Sequence, residues 1–93
     1  MKVILVYDIC LTEKGEQKRL ASVMKICRKY LHHIQKSVFE GNLTEAKLKK
    51  MELEILRKID KNRDSVIIYT FPETISFQRK ILTNVKKITD NII

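Results

Sequence analysis

Residues 2–8, Lys-Val-Ile-Leu-Val-Tyr-Asp, constrain the fold more than any other part of the chain. The run is continuous, apolar and β-branched, and it ends in an acid. That is the pattern of a strand buried on both faces. Something must then cover each side. A chain of 93 residues has room for one domain and one core, and such a chain buries only about 60–65% of its unfolded surface. Cover for the second side comes most simply from another copy of the chain.

The pattern downstream supplies the first side. After a loop over 9–15, Leu20, Val23, Met24, Cys27 and Leu31 recur at helical spacing. Lys14, Lys18, Lys25, Arg28 and Lys29 fall on the opposite side of that helix, with Glu16 the one acid nearby, while Arg19 lies beside the apolar face. Residues 33–39 alternate, which predicts a half-exposed strand with Ile34, Lys36 and Val38 on one side and Gln35, Ser37 and Phe39 on the other. Glu40-Gly41-Asn42 reads as a turn. Thr44 suits a helix N-cap, with Leu43 and Leu48 spaced as a hydrophobic staple. Leu48, Met51, Ile55, Leu56 and Ile59 give the second helix its apolar face, and its outer face mixes Lys47, Lys49 and Lys50 with Glu45, Glu52 and Glu54. Ser65 to Phe71 is a third strand, stopped by Pro72. Residues 75–82 predict a fourth, and 91–93 a short fifth. The class is α+β, with two helices on one face of a mainly antiparallel sheet; the strand order stays open.

Composition narrows the partners. Nineteen Lys and Arg against eleven Asp and Glu leave a net charge of +8, which favours a polyanion or an acidic protein surface over a small acidic ligand. Abundant aliphatic residues, with two glycines and one proline, exclude a disordered chain. No stretch approaches the ~20 apolar residues of a membrane span, and the start lacks the pattern of a signal peptide. Cys10 and Cys27 stand in neither metal-ligand nor redox spacing. The expectation is a cytoplasmic protein with both thiols reduced and no membrane partner.

Asp8 is the acid that matters most. A carboxylate at the end of an apolar strand needs a cation, a hydrogen-bonding cap or a metal. One Asp alone is a poor Mg²⁺ site, but a twofold axis near the strand end brings two together; a turn-capping Asp is the alternative. His32 and His33 are adjacent in a strand, point to opposite faces, and cannot easily share a metal. No serine stands in a nucleophile-elbow motif, and Gly15 and Gly41 are isolated, so there is no phosphate-binding loop. The basic stripe of the first helix either tracks phosphates or is a solvated face. Phe39 either stacks a base or packs in the core or a dimer contact.

V-I-L-V-Y-D-I at the first strand, the basic helix, I-Q-K-S-V-F-E-G-N-L-T at 34–44 and D-S-V-I-I-Y at 64–69 resemble, in order and spacing over about residues 1–72, the Cas-two family of CRISPR-associated adaptation proteins. The resemblance implies a ferredoxin-like homodimer, a single domain over 1–93 with 73–93 crossing onto the partner's sheet. It further implies binding of duplex DNA or RNA and bridging of integrase dimers in a heterohexamer or heterotetramer. Also implied is Mg²⁺-dependent endonuclease activity on single-stranded RNA or double-stranded DNA, with the two Asp8 side chains as metal ligands and catalytic acids. Arg19 matches a basic helix position implicated in the family, and Phe39 matches the Phe of S-V-F. In this reading Lys14, Lys18, Arg19, Lys25 and Arg28 neutralise phosphates, and Tyr7 and Phe39 position or pack. The rival readings are a toxin-like ribonuclease of related fold and a ligand-sensing ferredoxin-like regulator.

Overall fold

The computed structural model describes residues 1–11 and 16–83. Six elements run in the order β1 (Lys2–Asp8), α1 (Glu16–Tyr30), β2 (His32–Gln35), β3 (Val38–Asn42), α2 (Glu45–Leu56) and β4 (Ser65–Phe71). The strands form one antiparallel sheet ordered β2-β3-β1-β4, so the apolar first strand is central and β2 and β4 are the edges. This βαββαβ order is the ferredoxin-like arrangement.

Register decides which residues face the helices. Val3 stands opposite Gly41 and Thr70, and Leu5 opposite Phe39 and Ile68. Val3, Leu5, Tyr7 and Phe39 are buried against Val23, Met24, Ile26 and Cys27 of α1 and Met51 and Ile55 of α2. Each such side chain contributes about 1.5–3 kcal/mol when taken fully from water. Both helix starts are chemically marked. Glu16 stands in the first turn of α1, with Arg28 and Lys29 in its last, all favourable to the helix dipole. Thr44 caps α2 by accepting the Lys47 N–H at 3.2 Å. Leu43 is buried and Leu48 packs against the same core.

Among the described residues no element packs over the middle of the other face. Ile4 lies opposite Tyr69 and Val6 opposite Ile67, and Ile67 and Tyr69 are 48% and 51% exposed. Full burial of β1 on both sides is therefore not reached within one chain: its residues alternate between buried and half-buried, ending in an exposed Asp8.

Three sequence expectations need correction. Residues 33–39 are not one strand but the hairpin of β2 and β3, turning at Lys36 and Ser37, with Lys36 at a left-handed φ of 22°. Glu40, Gly41 and Asn42 are not a turn but the end of β3. Gly41 lies close to Leu31: a Cβ there would meet Leu31 Cδ2 at 3.0 Å, so the leucine tip would have to shift by a few tenths of an ångström. Residues 75–82 carry no strand. Instead this segment lies over the Lys2 end of the bare face. Phe77 contacts Phe71 with ring centroids 5.9 Å apart, Lys2 Nζ stands 5.2 Å from the Phe77 ring, and Arg79 pairs with Glu40. A strand needs a neighbour to bond, and among the described residues this segment has none. The short strand expected at 91–93, and Lys14 and Gly15, lie outside the described residues.

Candidate metal and nucleic-acid site

Asp8 is the last residue of β1 and stands opposite Ser65, the first residue of β4. Its side chain is exposed on the bare face, beyond Val6 and Ile67. No hydrogen bond or ion pair engages it among the described residues. A hard, solvated carboxylate could serve Mg²⁺ as one ligand, an ion that usually fills its remaining positions with waters and phosphate oxygens. One chain offers only that one: no group of three His, Cys, Asp or Glu among the described residues is placed to hold a metal.

The acid next to the site does something else. Asp64 directly precedes Ser65, and its carboxylate turns toward α1, away from the side on which Asp8 projects. Arg19 Nε donates to Asp64 Oδ2 at 2.6 Å and Arg19 Nη2 to Oδ1 at 2.9 Å, a two-pronged pair with the Asp64 side chain wholly buried. The same carboxylate accepts the backbone N–H groups of Cys10 at 3.0 Å and Asp60 at 2.8 Å. The Arg19 fork, then those backbone donors, hold its pKa far below the usual carboxylate range. Arg63 joins the cluster, paired with buried Glu16 and 3.6 Å from Cys10 Sγ.

This changes the role expected for Arg19. Its guanidinium is engaged by Asp64, also donates to the Cys10 carbonyl at 3.2 Å, and is mostly buried. The fork is taken up inside the protein rather than aimed at phosphate. Of the roles open to Phe39, packing in the core is the one it takes: it is 0% exposed, stacked on His33 at 4.4 Å with the rings 9° apart, and so has no face for a base. Its assignment to the face of Gln35 and Ser37 fails because the hairpin turn intervenes. Tyr7 packs at 6.1 Å from Phe39 and donates its hydroxyl to the Lys36 carbonyl at 3.1 Å. His33 Nε2 lies 2.8 Å from that same oxygen, so one turn carbonyl is held twice. Burial raises the Tyr7 hydroxyl pKa and pushes the Cys27 thiol up to about 12. His32 is exposed while His33 is buried, so the pair is divided between faces.

Lys18, Lys25 and Arg28 stand exposed along the outer side of α1, a span of about 15 Å at 1.5 Å per residue. Lys29, expected in the same stripe, pairs with Glu54, which also accepts the Tyr30 hydroxyl. The stripe and Asp8 are on opposite sides of the molecule; one chain does not bring them together. Asp64, Arg63 and the doubly held turn carbonyl escaped the sequence reading. One signal was present: an arginine beside an apolar helix face needs an acid partner, and Asp64 leads the third apolar run.

A basic chain with two helices on one face of an antiparallel βαββαβ sheet, and one exposed acid at the end of its central strand, defines the class of small ferredoxin-like proteins. Residues 1–79 match the family described as CRISPR associated protein Cas2, and the chain belongs to that family. It is 41% identical over 91 residues to "CRISPR-associated endoribonuclease Cas2 2" of Moorella thermoacetica, covering 98% of this chain and 100% of that one. It is also 41% identical over 93 residues to "CRISPR-associated endoribonuclease Cas2" of Thermotoga maritima, covering 100% and 99%. Among solved structures, Streptococcus pyogenes Cas2 at pH 6.5 superposes with a TM-score of 0.71 at 28% identity, over 85% of this chain and 100% of that one. A crystal structure described as cas2 gives 0.76 at 35% identity, over 100% and 98%. Among the described residues no helix is long and apolar enough to cross a membrane.

Proposed function

We propose that this chain works as a homodimer in CRISPR adaptation, holding duplex DNA by its backbone and bridging two integrase dimers in a reducing cytoplasm. The bare sheet face carries the proposal. Ile67 and Tyr69 are about half exposed there, and large exposed apolar patches mark contact surfaces. Two copies packed through these faces set their central strands side by side and place one Asp8 near the other. Among the described residues the outer edge of β4 has no neighbouring strand, and in this reading the chain beyond residue 82 supplies one to the partner's β4.

In such a pair the two Asp8 carboxylates would be the residues to hold Mg²⁺, which when bound would supply charge neutralisation at phosphodiester oxygens and a more acidic water. Tyr7, tied to the hairpin turn, keeps the preceding backbone in place. Lys18, Lys25 and Arg28, on the outward helices of both copies, meet phosphates by spacing rather than by base identity, so binding is sequence-tolerant and salt-sensitive.

A second reading makes hydrolysis the main task, in line with the endoribonuclease names of the Moorella and Thermotoga relatives. Asp8→Ala separates the two. Loss of Mg²⁺-dependent cleavage of single-stranded RNA and duplex DNA, with spacer acquisition intact, supports the bridging dimer. Loss of both makes catalysis central. A chain that sediments as a monomer with duplex DNA and its integrase present ends the proposal.

A further inference from the structure

Asp8 is followed by a backbone held on both of its polar groups. The Cys10 N–H donates to Asp64 Oδ1 at 3.0 Å, and the Cys10 carbonyl accepts Arg19 Nη2 at 3.2 Å. The two side chains that do this are bonded to each other at 2.6 and 2.9 Å. Asp64 is also the neighbour in sequence of Ser65, the residue that faces Asp8 across the ladder. Ile9, between the acid and the clamped peptide, is buried. Asp8 therefore stands between two fixed points that share one anchor, while its own carboxylate reaches into solvent. A loop leaving a strand end ordinarily frays; here it is closed by a buried, charge-assisted fork.

We infer that Arg19 and Asp64 are positioning residues for Asp8: their ion pair grips the Cys10 peptide and so presets the direction of the Asp8 carboxylate for a divalent cation shared with the second copy. The inference rests on Asp8 being a metal ligand. It assigns Asp64 a part in the site and gives Arg19 a different part from phosphate binding. Neither side chain touches the Asp8 carboxylate, so the support acts through the Cys10 backbone; removing a partner bonded directly to a metal ligand typically costs about 10–100-fold in affinity, and support through the backbone belongs at the low end of that range. Lysine at 19 retains the charge but cannot make the planar fork that reaches Asp64 and the Cys10 carbonyl together.

The test uses Mn²⁺ as a spin-active probe, titrated by electron paramagnetic resonance into the full chain and into Asp8→Asn, Asp64→Asn and Arg19→Lys, each shown folded by circular dichroism. Leu43→Ala is the stability control; Leu43 is buried at the far end of β1, where its N–H donates to the Met1 carbonyl. The expected result is loss of tight binding in Asp8→Asn, binding weakened about tenfold in Asp64→Asn and Arg19→Lys, and unchanged binding in Leu43→Ala. Wild type and Asp8→Asn binding alike removes the metal role of Asp8 itself. Asp8→Asn losing Mn²⁺ while Asp64→Asn and Arg19→Lys retain wild-type affinity overturns the positioning role and leaves Asp8 standing. Amide exchange in the unaltered protein needs no variant to fold: the Cys10 N–H should exchange slowly, and exchange at the rate of an open loop overturns the grip.

Discussion

Arg19 occupies a place where a charge is costly, beside the apolar side of α1 and largely out of water. Asp64 makes it tolerable, and the pairing carries a pH signature. The Asp64 carboxyl has a folded pKa depressed below its unfolded value of about 3.9, so its contribution to stability is full above that value and is lost as pH falls through the folded pKa. The stability gap between wild type and Asp64→Asn should stay constant from neutral pH to about pH 4 and close below it. Urea melts across that range check this, and a gap that widens on acidification excludes the pairing. Phe39 belongs to this scale too. It is fully buried, stacked on His33 and close to Tyr7, so Phe39→Ala should cost about 3–5 kcal/mol in urea unfolding. A surface base-stacking residue would cost far less.

At the scale of elements, legibility followed how local the determinants are. β1 and β4 announce themselves as unbroken apolar runs with clear ends, and α2 by its Thr44 cap; both strands and the start of α2 stand where their residues place them, but α2 ends at Leu56, so Ile59, expected on its apolar face, packs on the core from the turn that follows. The β2–β3 hairpin did not, because its turn at Lys36 and Ser37 contains no Gly, Pro or Asn, and the alternation reads straight through it. Gly41 misled in the opposite sense. It reads as punctuation, but it lies within β3, close against Leu31. Residues 75–82 have strand composition but no ladder, since pairing depends on a neighbour that no sequence window contains. The site divides the same way. Asp8 was visible because it ends an apolar run. The roles of Arg19 and Asp64 were not, because they meet across 45 residues.

On the scale of the whole molecule, charge and apolar surface are sorted to opposite sides: Lys18, Lys25 and Arg28 outward on α1, Ile67 and Tyr69 on the uncovered sheet. Reversing Lys18 and Lys25 to Glu should weaken duplex binding and lower the slope of log affinity against log salt by about 2, without altering the fold. An unchanged slope in filter-binding titrations removes the stripe from the contact. Ile67→Glu puts a charge on the uncovered face, on its edge strand β4, and should turn a dimer into a folded monomer in sedimentation, with an unaltered circular dichroism spectrum. Continued dimerisation places the contact elsewhere. One feature of β4 reaches beyond recognition. Seven residues, Ser-Val-Ile-Ile-Tyr-Thr-Phe, run along the sheet's rim without a lysine, a proline or a bulge to discourage pairing. Kept alone at high concentration, such a rim templates the strands of strangers, and the chain's +8 repulsion weakens as salt screens it. Orphaned copies should therefore clump first in concentrated, salty solution, and a mate that caps the rim doubles as the chain's protection against precipitation.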